Sequence, residues 1–472
     1  MFNRLLGALR GRGAAREQAP APASPAPTST ASTIPPSGTL PLEAWRARVE
    51  RGEAMAVCTE LLDLVNRHPG NADLLALYGW ALLEVSAIEE ARGALEAALR
   101  VQPNHAEALN TLGAIAAETD DPKQATGWFA DALDANPGDL AAQYNLAQAL
   151  FLDGQYGRGF DLLRARHRLL FGKDNPLAPM PMWQGESLEG KQVFVWCDWG
   201  GLGDHLQFIR YLPELARHAR PARILLGSSP AFEHLFSRMD GVFGWVGHGH
   251  APMADLHCPL LDLPHHFGTG VNNIPAAIPY LAADPHEAAQ WAQHLTAYGV
   301  STDTLRVGLA WKSTGPDDEA PIYKRMRRTK SVPPQLLAPL AASGARFVGL
   351  QPGTPAYESA ATGLTMFDCA GVLRDFSVTA AILANLDLVI SADTSLAHLA
   401  GAMGKPVLLL LRRESGLFWL HDREDSPWYP TMRILRQRQS GDWAPVIEEA
   451  AHWLEIAARE GAQAIIPARA GA

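Results

Sequence analysis

Asp204 follows three closely spaced glycines, Gly200, Gly201 and Gly203, and stands at the head of a stretch with helical apolar periodicity. Glycines at this spacing let a chain turn tightly after a strand and let backbone approach a ligand. A carboxylate at that turn can take the proton of an attacking hydroxyl. It can equally cap the helix that follows, a common use of Asp, and the spacing leaves both roles open. His205 is the next residue and joins Gly201 and Gly203 as a candidate loop facing an acceptor.

A second segment, 391–407, begins where an apolar strand ends at Ile390 and carries Asp393, Thr394, Ser395 and His398 before a helix of small residues. Free N–H groups at a helix start can hold a diphosphate, and two hydroxyls add donors. The alternative is an ordinary capped strand-to-helix turn with a buried histidine. Lys312, Arg328 and Lys330 lie between the two segments, the last two in the basic run 324–330. That run reads as a solvated face, as a cationic loop closing on a diphosphate, or as a nucleic-acid patch. His257, Cys258, Asp262, His265 and His266 are metal-capable side chains, but their spacing fits no standard metal motif. The sequence contains no Asp-x-Asp pair, which removes the usual acidic clamp for a metal-bound diphosphate.

The elements that must position these residues change in kind along the chain. Residues 19–41 are dominated by Ala, Pro, Ser and Thr, so 1–39 is expected to be a disordered segment and linker. Pro69, Pro103 and Pro137 are then spaced by 34 residues, as are Gly79 and Gly113, Ala91 and Ala125, and Ala98 and Ala132. Paired helices closed by a proline and packed through small residues at this period resemble the tetratricopeptide repeat (TPR), expected over 40–174. Beyond it, β-rich runs at 193–197, 224–227, 307–311, 347–350, 388–391 and 407–411 alternate with helical stretches at 204–219, 285–298, 376–386 and 395–403. Such alternation predicts parallel sheets with crossover helices. A break near 299–304 divides the region into lobes 175–301 and 302–472. Ligands of such sheets bind beyond the carboxyl ends of the strands.

Bulk properties narrow the class. The 472 residues carry a formal net charge of −10 and are 47% hydrophobic, which is globular composition and the wrong balance for a nucleic-acid binder. Four dispersed cysteines form no CxxC pair, so neither a disulfide framework nor a zinc ribbon is expected, in keeping with a cytoplasmic protein. No apolar run reaches the length of a membrane span, and the arginine-bearing start, 1–16, allows peripheral membrane contact at most.

The strings GLGDHLQFIRYLP and DTSLAHLAGAMGKPV, in this order, resemble the heptosyltransferase-like (family 9) glycosyltransferases, especially bacterial members fused to TPR arms. WQGESLEGKQVFVW, ADLHCPLLDLPHHFG, VGLAWK, GLQPG and DSPWYPTMRILRQ support the likeness, which covers about residue 183 to the end. With the arm it is also similar to TPR-linked protein O-glycosyltransferases, including those that modify flagellin. The resemblance implies an N-terminal TPR α-solenoid and a GT-B module of two Rossmann-like lobes. It further implies an inverting, metal-independent transfer of sugar from a nucleotide-diphospho-sugar, with no cofactor besides that substrate. Asp204 aligns with the family's proposed base, and Asp393, Thr394, Ser395 and His398 with its donor-diphosphate motif. Gln351, in GLQPG, joins the donor-binding set. Lys330-Ser331 stands where relatives commonly carry Arg-Ser, so Lys330, Arg328 and Lys312 are all candidates for the phosphate partner. Trp199-Gly200 stands where relatives often carry Glu-Gln. The implied partner of the arm is a protein acceptor or adaptor. An inactive TPR scaffold and a transferase acting on a surface glycan or lipid-linked acceptor are the competing expectations.

Overall fold

The computed structural model describes residues 40–468, apart from 120, 172–176, 198–199, 240, 243, 248–251, 276, 316–320, 354–355, 415–416 and 422. The expected linker, Trp199 and the boundary expected at 174–175 lie outside the described residues. The chain forms two compact units. One runs to Asp153 and takes in Asp161–Asp174; the other joins Gly154–Phe160 to Asn175–Ala472.

The first unit is helical: α1 (Leu42–Glu50), α2 (Ala54–Arg67), α3 (Ala72–Glu84), α4 (Ile88–Val101), α5 (Ala106–Glu118), α6 (Pro122–Ala135) and α7 (Leu140–Leu152), followed by α8 (Tyr156–Leu163), which spans the change of unit, and α9 (Ala165–Phe171). The 34-residue period appears in its physics. Asn71, His105 and Asp139, each two residues after a repeat proline, cap α3, α5 and α7 by accepting N–H bonds from the first turn. His105 also bonds Asp73 of the preceding repeat at 2.9 Å. A Cβ added at Gly79 would stand 2.6 Å from Leu95, and one at Gly113 would stand 2.6 Å from the Phe129 ring. The two contacts are one repeat apart, so glycine is what lets each helix pair close over its bulky residue.

The second unit holds two parallel sheets. The first, β3-β2-β1-β4, comprises β1 (Gln192–Trp196), β2 (Arg223–Gly227), β3 (Gly244–Val246) and β4 (Leu256–Pro259). The second, β10-β9-β8-β5-β6-β7, comprises β5 (Arg306–Ala310), β6 (Arg346–Gly349), β7 (Met366–Asp368), β8 (Leu388–Ala392), β9 (Val407–Leu411) and β10 (Met432–Arg436). This is the doubly wound Rossmann order, and its strand order reverses between β5 and β8. β8 and β9 are buried along their whole length, as central parallel strands must be.

The crossover elements of this unit are α10 (Leu202–Phe208), α11 (Tyr211–Ala219), α12 (Pro285–Ala297), α13 (Pro321–Lys330), α14 (Phe376–Ala384), α15 (Ser395–Ala402) and α16 (Ala444–Glu460). The helix expected over 204–219 is two helices, α10 and α11. Pro213 has no N–H to bond the Ile209 carbonyl and its ring crowds that position; the carbonyl accepts from Leu212 instead, at 3.0 Å. Strands β3, β4, β7 and β10 escaped the sequence reading. All four are edge strands, and β4 and β10 are interrupted by His257 and Arg433, which are nonetheless buried.

Gly113→Ala is expected to destabilise the helical unit by about 1–3 kcal/mol, the usual cost of overpacking. Gly127→Ala, on α6 facing open space, is expected to be neutral or to stabilise by roughly 0.5–1 kcal/mol. Urea denaturation of the full chain, followed by far-ultraviolet circular dichroism, checks both directions.

Candidate functional site

Where a doubly wound sheet reverses, two neighbouring crossovers leave on opposite faces and a crevice opens at the carboxyl ends. Here β5 leads into Trp311 and Lys312, while β8 leads into Asp393 and Thr394 and then α15. Asp393 is buried at this point. Lys330, the last residue of α13, places Nζ 2.7 Å from Asp393 Oδ2. Trp419 Nε1 donates to Asp393 Oδ1 at 3.0 Å. Burial by itself would raise the Asp393 carboxyl. The Lys330 charge and hydrogen bond, helped by His398 and Trp419, outweigh it and hold the pKa at about 2.

Asp204 comes to the same place from the first sheet. Gly200 adopts φ +96°, and a Cβ there would lie 2.6 Å from the Asp204 carboxylate. Gly201 N–H donates to Asp204 Oδ2 at 2.7 Å. The carboxylate therefore does cap α10, but it does so from the third helical position, reaching back, and remains half-buried. Burial pushes its pKa up to about 6, against the pull of the Gly201 N–H and the Lys330 charge, and with a further push from the negative Asp393. A carboxylate poised there is ionised at neutral pH yet basic enough to take a proton.

The first turn of α10 lies on α15. A Cβ at Gly203 would meet His398 Cδ2 at 2.6 Å and Nε2 at 3.0 Å, so only glycine permits this approach. Burial lowers His398 to about 4; Asp393 opposes that shift, and Lys330 and Arg210 add to it. The imidazole is thus neutral at pH 7 and accepts or donates hydrogen bonds without carrying charge. Its Nδ1 lies 3.0 Å from the Tyr429 hydroxyl. Thr394 and Ser395 are partly exposed at the start of α15, and the Thr394 hydroxyl lies 3.2 Å from that of Ser391.

Asp204, Lys330, Asp393 and His398 therefore form one electrostatic cluster, with Gly203, Thr394 and Ser395 beside it. The other candidates are placed apart. Gln351, buried after β6, accepts the Lys312 N–H at 2.9 Å. Lys312 Nζ pairs with Glu358 at 2.8 Å. Arg328 is exposed on α13. Gly201 is exposed, and His205 packs against the ring of Phe232. Among the described residues no group of three or more His, Cys, Asp and Glu is arranged to hold a metal ion, the set around His257 included.

Three residues of the site were not singled out from sequence. Trp419 fixes Asp393. Tyr429 fixes His398; it lies inside DSPWYP, a string that marked the family without revealing a role. Arg412, buried just after β9, donates to Thr329 at 2.8 Å and so tethers the end of α13 that carries Lys330. Its only sequence signal is a basic residue directly after a five-residue apolar strand.

A helical TPR-type unit followed in the chain by two parallel Rossmann-like sheets, with the candidate site at a strand-order reversal, is the architecture of a TPR-fused glycosyltransferase of the GT-B kind. Residues 356–441 match glycosyltransferase family 9 (heptosyltransferase); the stretch carries β8, β9, β10, Asp393 and His398 and supports glycosyl transfer as the general activity. The chain is 26% identical to Protein FlbA of Caulobacter vibrioides over 431 residues, covering 78% of this chain and 70% of that one. The solved family 9 glycosyl transferase of Veillonella parvula covers 60% of this chain and 99% of its own, at 11% identity and a TM-score of 0.44. An O-GlcNAc transferase mutant of Thermobaculum terrenum covers 90% and 92%, at 14% identity and a TM-score of 0.30.

Lys330→Met leaves a buried carboxylate unpaired and is expected to cost about 2–3 kcal/mol at pH 7, the lower part of the range for broken buried pairs. Adding Asp393→Asn should recover part of the loss. Because the folded Asp393 pKa lies below its unfolded value, its stabilisation is full above about pH 4 and is lost as pH falls toward 2. The gap between wild type and Lys330→Met in urea denaturation should therefore shrink on acidification.

Proposed function

We propose that this chain moves a sugar from a nucleotide-diphospho-sugar to an acceptor hydroxyl, by an inverting displacement that needs no metal and no further cofactor. The observation that carries the reading is the raised Asp204 carboxyl beside the Lys330–Asp393 pair, where the second sheet reverses. The acceptor oxygen attacks the anomeric carbon from the side of the first sheet, its proton passes to Asp204, and the bond from the anomeric carbon to the diphosphate oxygen breaks. Negative charge grows on the departing diphosphate. The N–H groups and hydroxyls at Thr394 and Ser395, the neutral His398 and the cation Lys330 supply preorganised donors for it, with the exposed Arg328 on the same helix as Lys330 as a further cation. Gln351 supports the β5 end from which Lys312 projects. Gly201, Gly203 and His205 belong to the acceptor side.

We propose further that the arm recruits a protein acceptor, flagellin being one example of the type, or an adaptor, and that the protein acts in the cytoplasm. Among the described residues no helix is long and apolar enough to cross a membrane. Repeat arrays of this kind offer extended surfaces to peptides and proteins, and remote binding energy can position a reacting hydroxyl.

Asp204→Asn is expected to lower turnover by about 10²-fold or more while nucleotide-diphosphate affinity, measured calorimetrically, changes little. Since the base must be ionised, wild-type kcat/KM should fall as pH drops through about 6, and the variant should lack that limb. Release of nucleotide diphosphate, followed with and without chelator, gives the readout; near-normal turnover of the folded variant would leave Asp204 as a cap only. For the arm, the unit boundary dictates the fragment. Residues 154–160 pack with the second unit, so a chain starting at Gly154 should still hydrolyse donor slowly but lose most transfer to protein. Undiminished protein transfer by that fragment would show that the arm does not recruit the acceptor.

A further inference from the structure

Arg412 and Gln437 are buried where two neighbouring strands of the second sheet end, Arg412 directly after β9 and Gln437 directly after β10. Gln437 brackets the arginine. Its backbone N–H donates to the Leu411 carbonyl at 2.9 Å, and its side-chain Oε1 accepts the Arg413 N–H at 3.4 Å and the Gly441 N–H at 3.1 Å. Only an amide oxygen can accept those two bonds, so the network fixes which end of the amide is Nε2. That Nε2 is buried with no acceptor. Arg412 is in the same condition. Nη1 donates to the Thr329 hydroxyl at 2.8 Å, but Nε is buried with no acceptor. Among the described residues no carboxylate forms an ion pair with this guanidinium. Burial lowers its pKa, against the pull of Asp393 and Glu414. An unpaired buried cation beside an unpaired amide donor is costly, and an apolar residue would follow an apolar strand at less cost. Two donors side by side lack one thing, an acceptor that carries negative charge.

The charge of the site asks for the same group. Asp393 holds Lys330 Nζ at 2.7 Å, and Asp204 draws on that lysine from farther off. Two carboxylates and one lysine leave the cluster negative at neutral pH, which repels a diphosphate. Arg412 restores the balance, and it is placed to do so. Its guanidinium reaches Thr329, an exposed residue next to Lys330, and β9 lies beside β8, with Leu410 in register with Ala392, the residue before Asp393. We propose that Arg412 and Gln437 form an oxyanion subsite for the diphosphate of the sugar donor, in which Arg412 supplies the positive charge that Asp393 takes from Lys330. A guanidinium offers parallel N–H groups to two oxygens of one phosphate, and Gln437 Nε2 adds a neutral donor. Their hold strengthens as charge gathers on the departing diphosphate. That the anion is the donor's diphosphate rests on the transferase reading; that an anion binds here rests on the unpaired donors alone.

The test uses the full chain and inorganic pyrophosphate, titrated calorimetrically, with ADP, CDP, GDP and UDP alongside. Arg412→Met should weaken pyrophosphate by about 30-fold or more. Arg412→Lys, which keeps the charge but loses the fork, should lose less. Gln437→Glu keeps both acceptor bonds and sets a carboxylate against the guanidinium, so it should raise the urea midpoint while also weakening pyrophosphate. Thr329→Val removes the hydroxyl that Arg412 holds and should change the affinity little. Unchanged pyrophosphate affinity in Arg412→Met would overturn the proposal, since water then meets these donors. An equal loss in Thr329→Val would overturn it too, since Arg412 then acts only through the end of α13. If Arg412→Met does not fold, Arg412→Lys and Gln437→Glu decide. A wild-type chain that binds neither pyrophosphate nor any of the nucleoside diphosphates also overturns it. Arg412-dependent pyrophosphate binding without turnover of any sugar donor keeps the subsite and sinks the transferase reading, whereas turnover with Arg412-independent binding sinks the subsite alone.

Discussion

The close approach of α10 to α15, backbone on imidazole at Gly203 and His398, is the constraint on which the site depends. A side chain on residue 203 would push the two helices apart and carry the Asp204 carboxyl away from the Lys330–Asp393 pair. With glycine there, one carboxylate from the first sheet and one from the second share a single cation. That sharing explains their divergence. Asp393 has Lys330 at hydrogen-bonding distance and stays ionised far below neutrality. Asp204 has only the more distant benefit of that charge and sits near 6. Two chemically identical groups are thereby driven to opposite sides of the ordinary carboxylate range by their surroundings.

The cluster is held from behind by neighbouring side chains. Trp419 anchors Asp393, Arg412 holds Thr329 next to Lys330, and Tyr429 holds His398. Arg210 ties α10 to the 428–429 turn and to Tyr280 through donor and ring contacts, with no carboxylate partner among the described residues. Buried polar groups of this density are tolerated only when their bonds are satisfied. Residues 154–160 belong to this support as well. Tyr156 accepts from Trp428 Nε1 at 3.1 Å, donates to the Phe418 carbonyl at 3.1 Å, and stacks among the same aromatic rings.

The helical unit works by a different economy of forces. Its core is mainly apolar, with His105, Asn110, Thr111, Asn145, Gln148 and Arg166 buried alongside, and its regularity comes from repeating the same three devices: a polar cap two residues after proline, a glycine facing a bulky neighbour, and alanines where helices touch. Little in it resembles the charged arrangement of the second unit. That contrast fits an arm whose surface, rather than its interior chemistry, is what matters.

Much of this was fixed by local pattern. The 34-residue spacing of Pro69, Pro103 and Pro137 sufficed for the repeats because each repeat is stabilised by contacts between near neighbours in sequence. The strands β5, β6, β8 and β9 were legible as apolar runs because central parallel strands are buried on both faces. Asp204, Asp393 and His398 stood out because strand-to-helix turns carry short, recognisable strings. The helix break at 209–210 turned on one missing N–H at Pro213, and the edge strands were too short or too polar to show a period. What no string revealed was the joining of the two motifs. Asp204 and Asp393 are 189 positions apart, and Lys330 sits in a basic run that reads like many solvated faces. Only the packing of α10 on α15, and the reversal of strand order between β5 and β8, decides that this lysine serves those carboxylates. Pairing energies and pKa values depend on burial and on a few ångströms of separation, and those are properties of the folded chain.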